Sequence, residues 1–359
     1  MSPDEAAVEM SEGLPRPAWY EPLLEAGLIP DPLIRRGIRR LLAQRLAAQE
    51  KAGFEAQAMG LTDWVWRLKR SPIAIATGAA NAQHYEVPAG LFQMMLGPHL
   101  KYSSCLWPKP RMSLAEAEEA MLQQVCRRAH LDDGQEILDL GCGWGSFSLY
   151  AAATYPGSRV LAVSNSNSQR EYIEAAARRQ GLTNLEVVTA DINVFDTTRR
   201  FDRVISIEMF EHMRNYQELL RRIAGWSRPG ALLFVHIFCH REHAYPFEVK
   251  DASDWMARHF FTGGQMPSED LLLHFQDDLR VQARWRVDGC HYARTCRAWL
   301  DNVDSRREEF LALCGTIYGS EQARRWQVRW RVFLMACEEL FAFRGGSEWF
   351  VSHLLFRKA

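Results

Sequence analysis

Lysine is scarce in this sequence of 359 residues: only six of its 43 basic side chains are lysines, and against 44 acidic residues the basic groups leave a formal charge of −1. No surplus of positive charge is available to hold a polyanion, so no nucleic acid partner is expected. Paired cysteine spacings are missing too. The eight cysteines (Cys105, Cys126, Cys142, Cys239, Cys290, Cys296, Cys314, Cys337) contain no C-x-x-C and have no histidine at zinc-finger distance. That pattern argues for reduced thiols in a cytoplasmic protein, and against disulfides or metal ligands. No apolar run approaches the ~18 residues of a membrane span. The opening MSPDEAAVEMSEGLPRPAWYEPL lacks the charged-then-apolar order of a secretion signal, so neither export nor insertion is expected.

What is present suits a soluble globular chain: 47% hydrophobic and 24% charged residues are enough for one large core or two modest ones. A helical period runs from Pro32 to about Met59, with Leu33, Ile34, Ile38, Leu41, Leu42 and Leu46 on one face and Arg35, Arg36, Arg39, Arg40 and Arg45 on the other. Such a basic face could lie on an anionic membrane, but a solvated outer face is the commoner outcome and the one expected. HYEVPAGLFQMMLG then reads as a short helix and KYSSCLWP as a loop. From Ser113 a helix precedes a regular alternation of strands and helices. The strands are expected at Glu136 to Leu140, Arg159 to Val163, Leu185 to Thr189, Asp202 to Ile207 and Leu232 to Ile237, with two later runs at Leu279 to Val287 and Phe350 to Phe356. This is the rhythm of an α/β fold with a doubly wound, mostly parallel sheet covered on both faces. An antiparallel member is expected in its last strand pair.

The segment EILDLGCGWGSFSLYAA sets an apolar strand, the acid Asp139, the glycines Gly141, Gly143 and Gly145, and a helix start in direct succession. Glycine lets backbone approach a ligand closely, and a helix N-terminus presents unpaired N–H groups. Dinucleotide sites use the same device with the spacing G-x-G-x-x-G. Here the third glycine follows the second by two residues, which is the methyltransferase form of the loop. A nicotinamide site also asks for Asp or Glu at the end of the second strand. This strand ends Val163, Ser164, Asn165, which weighs against NAD.

After the fourth strand, ISIEMFEHMRNY puts Glu208, Glu211 and His212 at the carboxyl end of the sheet, where open α/β folds bind ligands. A helix beginning there would bring the three onto one face. Two carboxylates and an imidazole belong together where a cation binds or a proton moves. Methylating an amine involves both, because an alkylamine is mostly protonated at neutral pH and has no lone pair until a base takes its proton. His212 is the expected base, and the carboxylates would attract and orient the ammonium. The competing account is an exposed helix start whose charges pair with Arg214. Tyr85, Tyr102, Trp107, Tyr292, Trp330 and Phe333 flank the sheet and could hold a cation on their faces. Singly, each is more often a core residue than part of a cage, and the same holds for His84, His236 and His291.

Taken together, HYEVP, KYSSCLWP, LDLGCGWGSFSLYAA, SNSNSQ, EMFEHMRNY, FCHREHAYPFE, FFTGGQMPS, LLLHFQDD, HYARTCRAWL and EWFVSHLLF resemble the cyclopropane-fatty-acyl-phospholipid synthase superfamily, in particular its coclaurine N-methyltransferase-like amine branch, from about Leu33 onward. The resemblance implies a class I, Rossmann-like methyltransferase with a seven-stranded sheet that uses S-adenosyl-L-methionine (SAM). Residues 1–112 would form an N-terminal helical region covering the site, and 113–359 the methyltransferase domain with a helical cap at about 288–345. It further implies that Tyr102 and Ser103 contact the cofactor, that Ser164 and Gln169 replace the usual ribose carboxylate, and that Asp191 and Ile192 border the adenine. Glu208, Glu211 and His212 would be catalytic, Tyr85 and Glu86 would line the amine pocket, and Trp330 and Phe333 would pack on substrate rings. The lipid enzymes of the superfamily carry Gly where Glu208 stands and Cys where Ser104 stands. They hold a bicarbonate partly through groups matching Glu211, His236 and Tyr292, all retained here, so His236 and Tyr292 join the candidate pocket.

The expected activity is therefore SAM-dependent N-methylation of a small, cyclic, aromatic-bearing amine resembling a tetrahydroisoquinoline, with no metal required. Cyclopropanation of an unsaturated lipid is the alternative, and a cofactor-binding regulatory module without turnover a more distant one. A small-molecule amine is the expected partner, stable membrane association is not expected, and a homodimer is compatible with the sequence.

Overall fold

The structure is a computed structural model that describes residues 18–51, 53–75, 87–248, 254–261 and 263–358. The expectations placed on His84, Tyr85 and Glu86 lie outside the described residues. Seven strands form the main sheet: β1 (Glu136–Leu140), β2 (Arg159–Ser164), β3 (Leu185–Thr189), β4 (Phe201–Ile207), β5 (Ser227–His240), β8 (Leu279–Val287) and β9 (Trp349–Lys358). A separate two-stranded piece joins β6 (Tyr245–Pro246) to β7 (Gln265–Met266). In the main sheet the order is β3-β2-β1-β4-β5-β9-β8, parallel throughout except for β9, which runs antiparallel to both neighbours. The doubly wound sheet and its antiparallel late member are as expected. Strands such as EILDL and RVLAVS are buried almost without alternation because helices cover both faces. β5 is longer than its expected Leu232 to Ile237, because it pairs with β4 from Ser227 and with β9 through His240.

The direction in which strands are added reverses between β1 and β4: β2 and β3 lie on one side of β1, and β4 and β5 on the other. The carboxyl ends of β1 and β4 therefore flank an open crevice.

The principal helices are α1 (Asp31–Glu50), α2 (Phe54–Lys69), α3 (Ala89–Met95), α4 (Leu114–Arg128), α5 (Ser146–Thr154), α6 (Asn167–Gln180), α7 (Tyr216–Trp226), α8 (Gly289–Ser305), α9 (Arg307–Tyr318) and α10 (Ala323–Ala342). Helix α4 begins with a reciprocal capping box between Ser113 and Glu116. The single helical period expected to about Met59 is divided, with Gly53 at φ +80° separating α1 from α2. Helices α8 and α10 pack on each other beyond β8 and stack Tyr292 on Phe341 with ring centroids 4.2 Å apart.

The arginine face of α1 is not simply solvated. Arg35 pairs with Glu338 and Glu339 of α10, both at 2.8 Å, and Arg39 with Glu339 at 2.8 Å. Two adjacent carboxylates on the cap draw the basic stripe inward and leave Leu33 and Leu41 exposed. Among the described residues no helix is long and apolar enough to cross a membrane.

Candidate active site at the carboxyl ends of the strands

A cavity of about 1400 Å³ opens over the ends of β1, β2, β4 and β5 and is walled by α1 and α10. On one side stands the loop between β1 and α5. Gly141, Gly143 and Gly145 have φ of +82°, +52° and +78°, a region that suits glycine. They serve different ends. A Cβ on Gly141 would come 2.6 Å from Met209 Cγ, and one on Gly145 would come 2.6 Å from Ile173 Cγ1, whereas at Gly143 there is open space. Gly141 and Gly143 line the cavity; Gly145 caps α5 from behind. Asp139, buried at the end of β1, accepts from the Ser148 hydroxyl, and burial pushes its carboxyl up to about 7. Ser164 donates to Gln169 Oε1 at 2.7 Å, so the polar pair after β2 is already organised, and Asp191 and Ile192 continue the same wall. Tyr102 and Ser103 close it from the loop before α4.

At the end of the neighbouring strand β4 lie Glu208, Glu211 and His212, all lining the cavity. No α-helix begins here. A single 3-10 turn, Phe210–His212, follows β4, and α7 starts only at Tyr216, so the grouping comes from a tight turn and not from a helical face. Glu208 has φ +48°, an uncommon conformation for a residue with a side chain. Its carboxylate is held on three sides: Oε1 accepts from the Ser104 N–H at 2.9 Å and bonds His236 Nε2 at 3.1 Å, and Oε2 accepts from the Tyr292 hydroxyl at 2.5 Å. Arg214 does not pair with this group; it donates to the carbonyls of Gly263 and Gly264, at 3.0 and 3.1 Å, and lies over Trp64.

Burial dominates the electrostatics. It raises the Glu208 carboxyl, against the pull of Lys101 and the Tyr292 hydrogen bond. It raises Glu211 well above the usual carboxylate range, with the nearby Glu208 charge adding to the effect. It lowers His212 to about 4, so the imidazole is neutral at neutral pH. Glu211 Oε2 is buried without a hydrogen-bond partner among the described residues.

Of the other pocket candidates, Tyr292 and Phe333 line the cavity, in a lining that also includes Phe238, Phe261 and Phe341. His236 sits behind Glu208, fully buried on β5. Trp330 does not reach the cavity. Its ring is buried among Phe92, Phe260 and Phe333, and its indole N–H donates to Tyr318 at 3.2 Å. It neighbours Phe333 on α10, with ring centroids 5.8 Å apart, but only the latter lines the cavity.

Sequence reasoning passed over Lys101. This ammonium is buried, donates to Ser103 Oγ at 2.5 Å and to the Ser104 carbonyl at 2.7 Å, and is one of the charges that Glu208 feels. Its place beside Tyr102 and Ser103, in a chain so poor in lysine, was an available signal. Glu118 of α4 shapes that loop by accepting from the backbone N–H of Gly97, His99 and Lys101.

Comparison with known proteins identifies the family and the fold. Residues 75–347 match the family model described as mycolic acid cyclopropane synthetase. The chain belongs to the mycolic acid cyclopropane synthetase family. It is similar, at 40% identity over 98% of this chain and 99% of the relative, to (S)-coclaurine N-methyltransferase of Thalictrum flavum subsp. glaucum. The cyclopropane-fatty-acyl-phospholipid synthase of Escherichia coli (strain K12) is 28% identical over 74% of this chain and 65% of its own. The crystal structure of coclaurine N-methyltransferase bound to N-methylheliamine and SAH superposes with a TM-score of 0.91 at 38% identity, covering 98% of this chain and 100% of that one.

Like its relatives in this family, the chain is a SAM-dependent methyltransferase, with the class I fold. Its residues fit the cofactor. Open space faces Gly143 where a Cβ would stand, and the buried Ser146 hydroxyl at the N-terminus of α5 has no protein partner among the described residues.

Proposed function

We propose that this enzyme methylates the nitrogen of a small cyclic amine bearing an aromatic ring, of tetrahydroisoquinoline type. The observation that carries the reading is the buried carboxylate pair beside a neutral imidazole, lining one cavity with the glycine loop and several aromatic rings. Aromatic faces and carboxylates together suit an ammonium on a flat apolar body. When bound, the cofactor supplies an electrophilic methyl group on a sulfonium. Glu208 attracts and orients the ammonium, and His212, held neutral, adds no positive charge to repel it. Glu211 takes the role of base that the sequence suggested for His212. An imidazole at about 4 holds a proton too weakly to draw one from an ammonium, whereas a carboxyl raised well above its usual range exchanges with one at lower cost. The unpartnered Oε2 is the atom that would receive it.

Lipid cyclopropanation is the second reading, because Glu211, His236 and Tyr292 are all present. Here His236 Nε2 and the Tyr292 hydroxyl are both engaged by the Glu208 carboxylate. A fixed anion thus occupies donors that the resemblance assigns to bicarbonate in the lipid enzymes, and it would also face a greasy alkene. Transfer of label from methyl-labelled cofactor to tetrahydroisoquinolines, simple amines and unsaturated phospholipid tests the proposal. Label on a cyclic amine is expected; label on lipid alone would overturn it.

A further inference from the structure

A row of side chains crosses the sheet and ends on Glu208. His236 of β5 and His353 of β9 are register partners, and Trp285 of β8 partners His353, so the three share one face. Arg128, the last residue of α4, lies 5.0 Å from the centre of the Trp285 ring. Its Nη1 is 2.6 Å from His353 Nδ1; His353 Nε2 is 2.9 Å from His236 Nδ1; His236 Nε2 is 3.1 Å from Glu208 Oε1.

The direction of every bond in this chain follows from its first member. A guanidinium has five N–H donors and no acceptor, so His353 Nδ1 accepts. A neutral imidazole with a bare Nδ1 carries its proton on Nε2, and that proton is donated to His236 Nδ1. His236 is then left with its own proton on Nε2, aimed at Glu208. Both rings are fully buried, which disfavours a second proton on either. We infer that Arg128 and His353 are positioning residues that lock the tautomer of His236, so that Glu208 always meets an N–H donor and remains an anion in the site. If Arg128 stops donating, the row can reverse. His236 would then present a lone pair, and Glu208 could bond it only by holding a proton.

The significance for catalysis rests on the amine reading above, but the proton positions do not, and the experiment separates the two. Nitrogen-15 labelling of histidine in the full chain, with long-range proton–nitrogen spectra, reads each ring nitrogen directly; His353→Gln identifies the His353 signals and His236→Asn those of His236. A bare Nδ1 and a protonated Nε2 are expected on both rings. A proton on Nδ1 of either ring would overturn the inference, whether or not any variant folds or any amine is turned over. The pH dependence of kcat/KM supplies the functional arm. In Arg128→Met the acid limb should move up by about one pH unit, making the enzyme about tenfold slower on the acid side and nearly unchanged on the alkaline side. Arg128→Lys, which still donates, should restore most of the loss. The other titratable groups around Glu208, namely Lys101, Cys105, Glu211, His212, Tyr292 and Cys296, are the same in all these proteins. A loss of equal size at every pH in Arg128→Met would mark Arg128 as structural and refute its positioning role.

Discussion

Replacing Glu208 by glutamine removes a charge and little else. The amide oxygen can keep the bonds from the Ser104 N–H and His236, and the amide nitrogen can donate to Tyr292, whose hydroxyl rotates to accept. The backbone at φ +48° is equally strained for both side chains. Folding stability should therefore change by less than about 1 kcal/mol, and the thermal midpoint by less than about 4 °C. Turnover should respond differently. At about 4 Å and an effective dielectric near 20, a carboxylate attracts an ammonium by roughly 4 kcal/mol. Lys101 offsets part of this attraction in the wild type, and Glu211 retains part of it in the variant. The expected fall in kcat/KM is about 10²- to 10³-fold. Label transfer to a cyclic amine, run beside thermal unfolding, measures both quantities on one sample. A kcat/KM within about threefold of wild type, or a midpoint lowered by more than about 8 °C alongside the lost activity, would refute the reasoning.

The last two glycines of the cofactor loop, both strained as alanine at positive φ, should weigh binding and stability differently. Gly143→Ala adds a methyl to open cavity space and should weaken SAH binding, read by calorimetry, by about tenfold or more. Gly145→Ala meets Ile173 and should lower the melting temperature first. On α10, Phe333→Ala should raise KM, whereas Trp330→Phe should cost stability through the lost Tyr318 bond and leave KM alone; a raised KM in the latter would place the indole in the pocket after all. Stability should also fall in acid. His212 has a folded value of about 4 against an ordinary 6.5, so the unfolded chain binds its proton first as pH drops. That one group removes about 3 kcal/mol between pH 6.5 and 4. Glu208 and Glu211, raised by folding, offset part of the loss as they take up protons at higher pH than in the unfolded chain. Because other buried groups titrate in the same range, His212→Gln isolates the term: if it loses as much stability as the wild type between pH 7 and pH 5, His212 is open to solvent.

Much of the fold was legible because parallel strands buried on both faces leave unbroken apolar runs, and because the glycine loop ties three φ-restricted positions to one strand and one helix. Glu208, Glu211 and His212 were legible as a group for a simpler reason: they stand within five residues at a strand end. How they are grouped was not, since a 3-10 turn and an α-helix start can share the same sequence. Neither was the division of labour proposed for Glu211 and His212, which depends on burial that no local pattern encodes. The long-range partners were least legible of all. Ser104, Tyr292 and His236 reach Glu208 from sequence separations of 104, 84 and 28 residues. Arg128 and His353 are 225 apart, and nothing in either segment announces the other. The basic face of α1 misled for the same reason, because its acidic partners lie about three hundred residues away on α10.

Position 208 joins these points. The tight turn after β4 needs a left-handed residue, which glycine adopts freely and any other L-residue only at a cost of roughly 1–2 kcal/mol. Glycine, implied there in the lipid enzymes, is therefore the residue that the backbone favours, and the glutamate is kept for its side chain. Glu208→Gly should relieve the backbone strain but leave the Ser104 N–H, His236 Nε2 and the Tyr292 hydroxyl without their acceptor. Three donors converging on one vacated carboxylate position make an anion site. Formate or acetate should then bind the variant, raise its thermal midpoint in proportion to the logarithm of concentration, and restore amine methylation by about tenfold or more, with chloride much weaker. Saturable rescue by a small carboxylate would establish that the enzyme needs an anion at this point, held by these three groups. Stabilisation without rescue would confine the role of Glu208 to filling the donors, and absence of both would mean that the three groups do not form a site once the side chain is gone.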